Sequence, residues 1–227
     1  MSTERSNSRL NQKIKRNKLG SMNPEFWNQR YASEEWVYGL RENDFLREEI
    51  SRFKKGSSVL DLASGEGRNS LFLARQGFQV TAVDQSAVGM DKLKKQSRLE
   101  GLSVTCIESD VLAFQTNQKF DAVVITFLHL SPSQRKKLFR MLPSFLSSEG
   151  ILIAEWFHPD QRVRNYPSGG PEDPNFMVTL EELQKEFASG WRIFRLEHVE
   201  RDLDEGEKHS GRGSVVRISA QKVNSHS

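Results

Sequence analysis

Short apolar runs alternate with segments of helical periodicity over most of the chain. The apolar runs predict five strands, at 58–62, 78–83, 103–108, 120–127 and 151–157. Residues 122–125 are continuously apolar, as expected for a strand covered on both faces. Helical spacing predicts helices at 43–53, 68–76, 86–101 and 132–146, and from 179 onwards.

Capping residues support these boundaries. Gly77 follows one helical segment, Ser86 precedes the next, and Thr179-Leu180-Glu181-Glu182 has the form of a capping box. Two alternating runs, 191–203 and 214–223, predict an antiparallel hairpin. Five βα units followed by a hairpin predict an α/β fold with a single Rossmann-like, doubly wound domain. Its seven-stranded sheet would be mostly parallel, with an antiparallel hairpin at the C-terminal end.

Composition narrows the class of protein. The 227 residues include one cysteine, Cys106, and no apolar run of the roughly 20 residues that cross a bilayer. We therefore expect a cytoplasmic protein without membrane contact, either monomer or homodimer. Residues 1–20 carry six basic side chains and one acid, so the basic character of the chain belongs to this tail. The predicted organisation is a disordered tail, 1–22, and one domain, 23–223, in which 23–56 form a helical lid.

A strand-to-helix loop suggests a nucleotide-like ligand. The first strand ends at Asp61 and continues through Ala63, Gly65 and Gly67 into a helix. The next strand ends in Asp84, at the spacing of an acid that binds ribose hydroxyls. A dinucleotide fingerprint would have a third glycine where Ser70 stands, and the glycine-lysine pair of a P-loop is absent. A carboxylate at the first strand's end suits a cationic ligand group.

The stretch from Asp61 to Gly67 resembles the first motif of class I S-adenosylmethionine (SAM)-dependent methyltransferases, with Ala63 in place of the first glycine. The resemblance extends from about residue 27 to 222. It implies SAM as cofactor and S-adenosyl-L-homocysteine as product. The implied cofactor-binding residues are Trp27, Tyr31, Tyr38, Asp61, Ala63, Gly65, Gly67, Asn69, Asp84, Gln85, Ser86, Asp110, Val111 and Phe127.

Other segments are similar to the tellurite-resistance and thiopurine-type small-molecule methyltransferases. They include residues 26–31, Gly65-Glu66-Gly67-Arg68-Asn69, and Gly169-Gly170-Pro171. In those enzymes the aromatic N-terminal segment covers the cofactor. For Trp27, Tyr31 and Tyr38, simple packing of a helix on the sheet explains the pattern equally well.

The resemblance predicts methyl transfer to a small soft nucleophile of the sulfur, selenium or tellurium type, by in-line displacement. An anionic soft nucleophile needs no general base, whereas oxygen or amine acceptors usually need one. The catalytic candidates are His129 as a base and Arg162 and Arg164 as anion-binding groups. Each also has a structural interpretation, and His209 is expected to be structural or exposed. No zinc-type ligand spacing occurs, so no metal site is predicted.

Two alternatives stay open. The first is an RNA or protein methyltransferase that uses the basic tail. Against a base-modifying enzyme, residues 126–129 are Thr-Phe-Leu-His rather than an Asn/Asp-Pro-Pro-aromatic loop, and Cys106 falls inside a predicted strand. The second alternative is a SAM-binding protein without turnover, which would need the same binding residues.

Overall fold

The computed structural model describes residues 23–223. Their centre is a seven-stranded sheet with the order β3-β2-β1-β4-β5-β7-β6. The strands are β1 (Ser58–Leu62), β2 (Gln79–Asp84), β3 (Val104–Glu108), β4 (Phe120–Thr126), β5 (Leu146–Phe157), β6 (Trp191–Asp204) and β7 (Ser210–Lys222). The first five are parallel to one another, and β7 is antiparallel to both β5 and β6. The predicted fold is confirmed. The predicted tail, 1–22, lies outside the described residues.

Seven α-helices accompany the sheet in the described part of the chain. They are α1 (Pro24–Arg30), α2 (Asp44–Glu49), α3 (Arg68–Arg75), α4 (Ala87–Leu99), α5 (Pro132–Phe145), α6 (Asp160–Val163) and α7 (Leu180–Glu186). Ser86 and Thr179 cap α4 and α7 by accepting hydrogen bonds from Gly89 N and Glu182 N, as their positions predict.

The apolar core lies on both faces of the sheet. Alternating residues of β1 show this division: Val59 packs with Phe45 and Leu46 of α2, whereas Leu60 and Leu62 belong to the larger cluster on the opposite face. Val123 and Val124 of β4 divide in the same way. A central parallel strand is therefore apolar at successive positions, which explains the uninterrupted run seen in the sequence.

Several details of the predicted element pattern are corrected. The connection 109–119 forms turns, so one of the five expected βα units lacks its helix. The Asp110 side chain closes this turn by accepting from Leu112 N at 2.7 Å. β5 begins at Leu146, because this residue pairs with Phe120 before the register shifts. β7 begins at Ser210, because the hairpin ladder continues to the pair Asp204–Ser210.

Within residues 23–223, no helix has the length and apolar character that a membrane crossing requires.

Candidate active site

A cavity opens at the carboxyl ends of the central strands, beside the point where the strand order reverses between β1 and β4. Doubly wound sheets bind their ligands at such switch points. The sequence-predicted residues that line it are Trp27, Tyr31, Tyr38, Ala63, Gly65, Gly67, Asn69, Asp84, Gln85, Asp110, Val111, Phe127 and His129. Asp61, Ser86, Arg162 and Arg164 do not line it.

The loop between β1 and α3 keeps the backbone shape that its glycine-rich motif suggests. Ala63 has a φ of 59°, in the left-handed region that glycine favours. Ala63 therefore adopts the backbone conformation that the glycine of the motif would adopt easily. The left-handed conformation costs an alanine about 1–2 kcal/mol.

Asp84 holds this loop against the end of β2. Its Oδ2 accepts a hydrogen bond from Gly65 N at 2.9 Å, and its Oδ1 accepts one from Ser86 N at 2.8 Å. The carboxyl group is buried, and burial raises its pKa despite these backbone donors. Asp84 thus joins the glycine loop to β2 and presents a carboxylate to the cavity.

Asp61, which is predicted to bind the cofactor, lies beneath the loop and does not line the cavity. It is buried, and its Oδ2 accepts from Ser70 Oγ at 2.6 Å. Burial raises its pKa to about 6, since the Ser70 hydrogen bond offsets only part of the desolvation. Asp61 therefore secures the first turn of α3. Ser86 is also buried behind the wall, where it caps α4 and donates to Asn28 Oδ1 at 2.7 Å.

Asn69 borders the cavity while linking three segments. Its Oδ1 accepts from Asn43 N at 2.9 Å, and its Nδ2 donates to Thr126 Oγ1 at 2.8 Å. These bonds connect α3 with the start of α2 and with the end of β4. Asn69 therefore fixes the floor of the cavity by interactions with the protein itself.

The aromatic N-terminal segment covers the glycine loop. Tyr31 is buried and stacks on Trp27 with ring centroids 5.5 Å apart. A β-carbon on Gly65 would lie 2.9 Å from the Tyr31 hydroxyl oxygen, so the tyrosine touches the loop itself. Burial raises the pKa of Tyr31 well above its usual value and keeps the phenol neutral. The rings that pack on the loop therefore also line the cavity, and their covering of a cofactor stays a prediction.

Glu66, which sequence reasoning missed, attaches the lid segment to the loop. Its Oε2 accepts from Val37 N at 3.0 Å, and its Oε1 receives Lys92 Nζ at 2.6 Å. The carboxylate is buried. A variable position inside a glycine motif gives no sequence signal for this contact, because its partners lie 28 and 29 residues before it and 26 after it.

Two neutral histidines face the cavity opposite the loop. The backbone carbonyl of Phe176 accepts a hydrogen bond from the His129 ring, while His129 Nδ1 is buried without a partner. Burial lowers the pKa of His129 to about 3. The ring is therefore uncharged, with its Nδ1 lone pair unused.

His209, expected to be structural or exposed, is buried and lines the same cavity. Its ring centroid lies 4.6 Å from that of Tyr38 and 4.4 Å from that of Phe127. Burial lowers its pKa well below the usual value, and its Nδ1 is also buried without a partner. The β6–β7 hairpin places His209 at the cavity, whereas the charged residues around it in the sequence suggested exposure to solvent.

Phe127 stands at the end of β4 with a φ of 54°, which is rare for a bulky residue. Its N–H donates to Glu155 O at 2.8 Å, and its ring lies 4.8 Å from that of Phe157. Such strain persists only where surrounding contacts hold it, and it concentrates at functional sites. The turn directs the Phe127 ring into the cavity.

Arg162 and Arg164, which are predicted to bind an anionic acceptor, do not line the cavity. Arg162 donates to the carbonyls of Pro171, Gly169 and Gly170 at 2.8, 3.1 and 2.6 Å. Arg164 is exposed and pairs with Glu200 at 2.9 Å. The first arginine therefore stabilises the Gly-Gly-Pro loop, and the second lies in a surface ion pair.

A buried network of charged and polar groups lies behind the cavity. Glu205 of the hairpin accepts from Arg68 Nη2 at 2.5 Å and pairs with Arg201. Arg201 also donates to Glu155 Oε1 at 2.6 Å, and Asn43 Nδ2 donates to the same oxygen at 2.8 Å. The network joins the segment before α2, α3, β5 and the hairpin. Its members are separated by up to 162 residues, so no local sequence pattern predicts that they interact.

Comparison with known proteins identifies the domain that surrounds this cavity. Residues 59–150 match the model of a methyltransferase domain. The chain is 25% identical to thiopurine S-methyltransferase of Pseudomonas paraeruginosa over 78% of this chain and 87% of that one.

Solved structures share the fold. TehB from Haemophilus influenzae superposes with a TM-score of 0.67 at 18% identity, over 88% of this chain and 66% of that chain. The N-methyltransferase NodS from Bradyrhizobium japonicum, in complex with S-adenosyl-L-homocysteine, superposes with a TM-score of 0.63 at 15% identity, over 88% of this chain and 98% of that chain. Together with the glycine loop and the strand order, these findings support a SAM-dependent methyltransferase of class I.

Proposed function

We propose that this methyltransferase acts on a small soft nucleophile, of the sulfur, selenium or tellurium type, that is already ionised when it reacts. The observation that carries the proposal is the pair of neutral histidines in the cavity. A general base works best with a pKa near the working pH. Burial lowers the pKa of His129 to about 3 and that of His209 well below its usual value, so both rings are neutral near neutral pH and are poor acceptors of a second proton. An oxygen or amine acceptor would need such a base, whereas a soft anion does not.

The cofactor is proposed to occupy the loop side of the cavity. Asp84 would bind the ribose hydroxyls, Asp110 and Val111 would flank the adenine, and the 63–67 loop would hold the methionine part. Support comes from their positions along one wall at the ends of β1, β2 and β3. Asp84 keeps acceptor capacity for such hydroxyls beyond the backbone N–H groups of Gly65, Gln85 and Ser86.

The acceptor is proposed to lie on the opposite side, among Phe127, His129 and His209. Methyl transfer from a sulfonium requires an in-line approach and exclusion of water, and the aromatic wall would supply both. His129 Nδ1 would orient the acceptor by accepting a hydrogen bond, since this buried nitrogen has no protein partner. Arg162 and Arg164 are left out of the proposed site.

The name of the 25% identical relative, a thiopurine S-methyltransferase, supports a sulfur acceptor. Residues 23–223 would then form one catalytic domain preceded by a tail that small-molecule transfer does not need.

Calorimetry with SAM and S-adenosyl-L-homocysteine tests the cofactor site. The wild type should bind both, and Asp84→Ala should lose about 1–3 kcal/mol of binding free energy because ligand hydroxyls lose their acceptor. Asp91→Ala, an exposed position on α4, is the matched control and should bind as the wild type does. Equal affinity of wild type and Asp84→Ala would remove Asp84 from the proposed site.

A labelled-methyl assay over aromatic thiols, thiopurines, selenite, tellurite, amines and RNA tests the acceptor. Incorporation is expected with the soft acceptors, and a chain starting at Met22 should retain it. Labelling of RNA or protein alone would overturn the proposed substrate class. Cofactor binding without any transfer would favour a non-catalytic SAM-binding protein.

A further inference from the structure

Three potential metal ligands meet outside the cavity, beside the carboxyl end of β5 in the antiparallel part of the sheet. His158 follows β5 directly, Asp160 begins α6, and His198 lies within β6. The two imidazole rings stack with centroids 3.7 Å apart and planes inclined by 22°. None of the three side chains borders the proposed cofactor and acceptor cavity.

The sheet register creates this cluster. β7 lies between β5 and β6, and the backbone N–H of His158 donates to Ser214 O of β7 at 2.9 Å. His198 approaches from the other side, with its Nε2 2.8 Å from Ser214 Oγ. Thus both imidazoles reach across Ser214 and meet over the same face.

The ligating atoms converge on a small volume. Asp160 Oδ1 lies 3.7 Å from His158 Nδ1, and Asp160 Oδ2 lies 3.8 Å from His198 Nε2. One ligand atom from each residue can be chosen such that all lie within 4.8 Å of one another. Ligand atoms at about 2.0–2.2 Å around a tetrahedral ion are roughly 3.3–3.6 Å apart. Modest side-chain rotations would therefore close the set around one ion.

The surroundings also suit a bound cation, because the Asp160 carboxylate brings a negative charge beside both imidazole rings. All three ligand residues are half-buried, which leaves a path from solvent.

We propose that His158, Asp160 and His198 form a binding site for a first-row divalent transition metal such as Zn²⁺. Two imidazole nitrogens and one carboxylate are the donors that such ions prefer, whereas Mg²⁺ and Ca²⁺ favour oxygen ligands alone. The fourth position would be left to solvent. Binding would replace the hydrogen bond from Asp160 N to His158 Nδ1 and the contact of His198 Nε2 with Ser214. The ion would connect β5 and α6 with β6.

Calorimetry with Zn²⁺ on the full chain tests this site, and Co²⁺ absorption reports its coordination. The wild type should bind one Zn²⁺ per chain, and Co²⁺ should give visible bands of a four-coordinate ion. His198→Gln and Asp160→Asn should each weaken binding at least about tenfold. Asp91→Asn, an exposed acid on α4 outside the cluster, should bind as the wild type does.

Circular dichroism of each variant establishes that it is folded, independently of SAM binding or methyl transfer. Failure of the wild type to bind Zn²⁺, or equal Zn²⁺ affinity in wild type, His198→Gln and Asp160→Asn, overturns the proposal. Because the readout is metal binding itself, these results stand whether or not the proposed acceptor is correct.

Discussion

Asp61 and Asp84 end neighbouring parallel strands, yet the fold gives them different surroundings. Asp84 accepts backbone hydrogen bonds and borders the cavity, whereas Asp61 is closed off beneath the loop by Ser70 and α3. Both carboxyl groups have a raised pKa because burial disfavours the charged form. The position of the loop between them decides which acid a ligand can reach.

The Asp61 carboxyl group makes the free energy of unfolding depend on pH. Its pKa rises from 3.8 when unfolded to about 6 when folded, so the folded state binds the proton more tightly. Its ionisation therefore destabilises the protein as pH rises through 4–6, by up to about 3 kcal/mol at pH 7. In urea unfolding at pH 7, Asp61→Asn should exceed the wild type in stability, and its advantage should fall by about 2 kcal/mol at pH 4.

The control for this comparison is Asp91→Asn, an exposed acid whose offset from wild type should be the same at both pH values. An Asp61→Asn offset that does not change between pH 7 and pH 4 would contradict the assignment of a raised pKa to Asp61.

At the scale of elements, the lid segment is held from two sides. Glu66 attaches it to the glycine loop. The β6–β7 hairpin approaches it at Gly206, where a β-carbon would lie 2.3 Å from Gly39 N and from the Tyr38 carbonyl carbon. The contact is between backbone atoms of the two segments, so no flexible side chain could move to make room for the added carbon. The hairpin thereby positions both Tyr38 and His209 at the cavity.

Gly206→Ala should move the lid segment away from the hairpin. The expected result is at least about tenfold weaker SAM binding, together with a loss of stability, measured by calorimetry and urea unfolding. Gly190→Ala is the matched control, since Gly190 also has a left-handed φ, of 77°, but no atom within 4 Å of the added carbon. It should cost about 1 kcal/mol of stability and leave SAM affinity unchanged.

If Gly206→Ala binds SAM as tightly as Gly190→Ala does, the approach of hairpin and lid segment does not matter to the cofactor site.

At the scale of the whole molecule, the buried ion network connects parts that are distant in the chain. Arg68 belongs to α3, Glu155 to β5, and Arg201 and Glu205 to the hairpin. The two arginines hold the pKa of Glu205 at about 2, although its burial acts in the opposite direction. The network therefore depends on all its parts, because removing one charge leaves its partner buried and unpaired.

Glu205→Gln should destabilise the folded protein by about 3–5 kcal/mol, since Arg68 and Arg201 would lose their shared carboxylate. Urea unfolding at pH 7 measures this loss. Glu207→Gln, an exposed position two residues away that pairs with Lys208, should change stability by less than about 1 kcal/mol. A similar, small effect of both substitutions would mean that the network contributes little to stability.

The sequence by itself determined the fold class, most element boundaries and the cofactor loop. These features depend on local patterns: apolar runs for strands such as β4, a capping residue such as Ser86, and the spacing from Asp61 to Asp84. Parallel strands bring their carboxyl ends to one edge, so a motif at two strand ends already implies a shared site. The absence of a helix between β3 and β4 was not predicted, because the number of strands alone suggested five complete βα units.

Only the tertiary structure decided which side chains share a space. It placed Asp61 beneath the loop, gave Arg162 backbone carbonyls as partners, and brought His209 from a charged hairpin into the cavity. His158 and His198 meet in the same way. His158 follows β5, His198 belongs to β6, and β7 lies between these two strands. Such encounters depend on sheet order and register, which local sequence patterns do not encode, because pairing joins residues far apart along the chain.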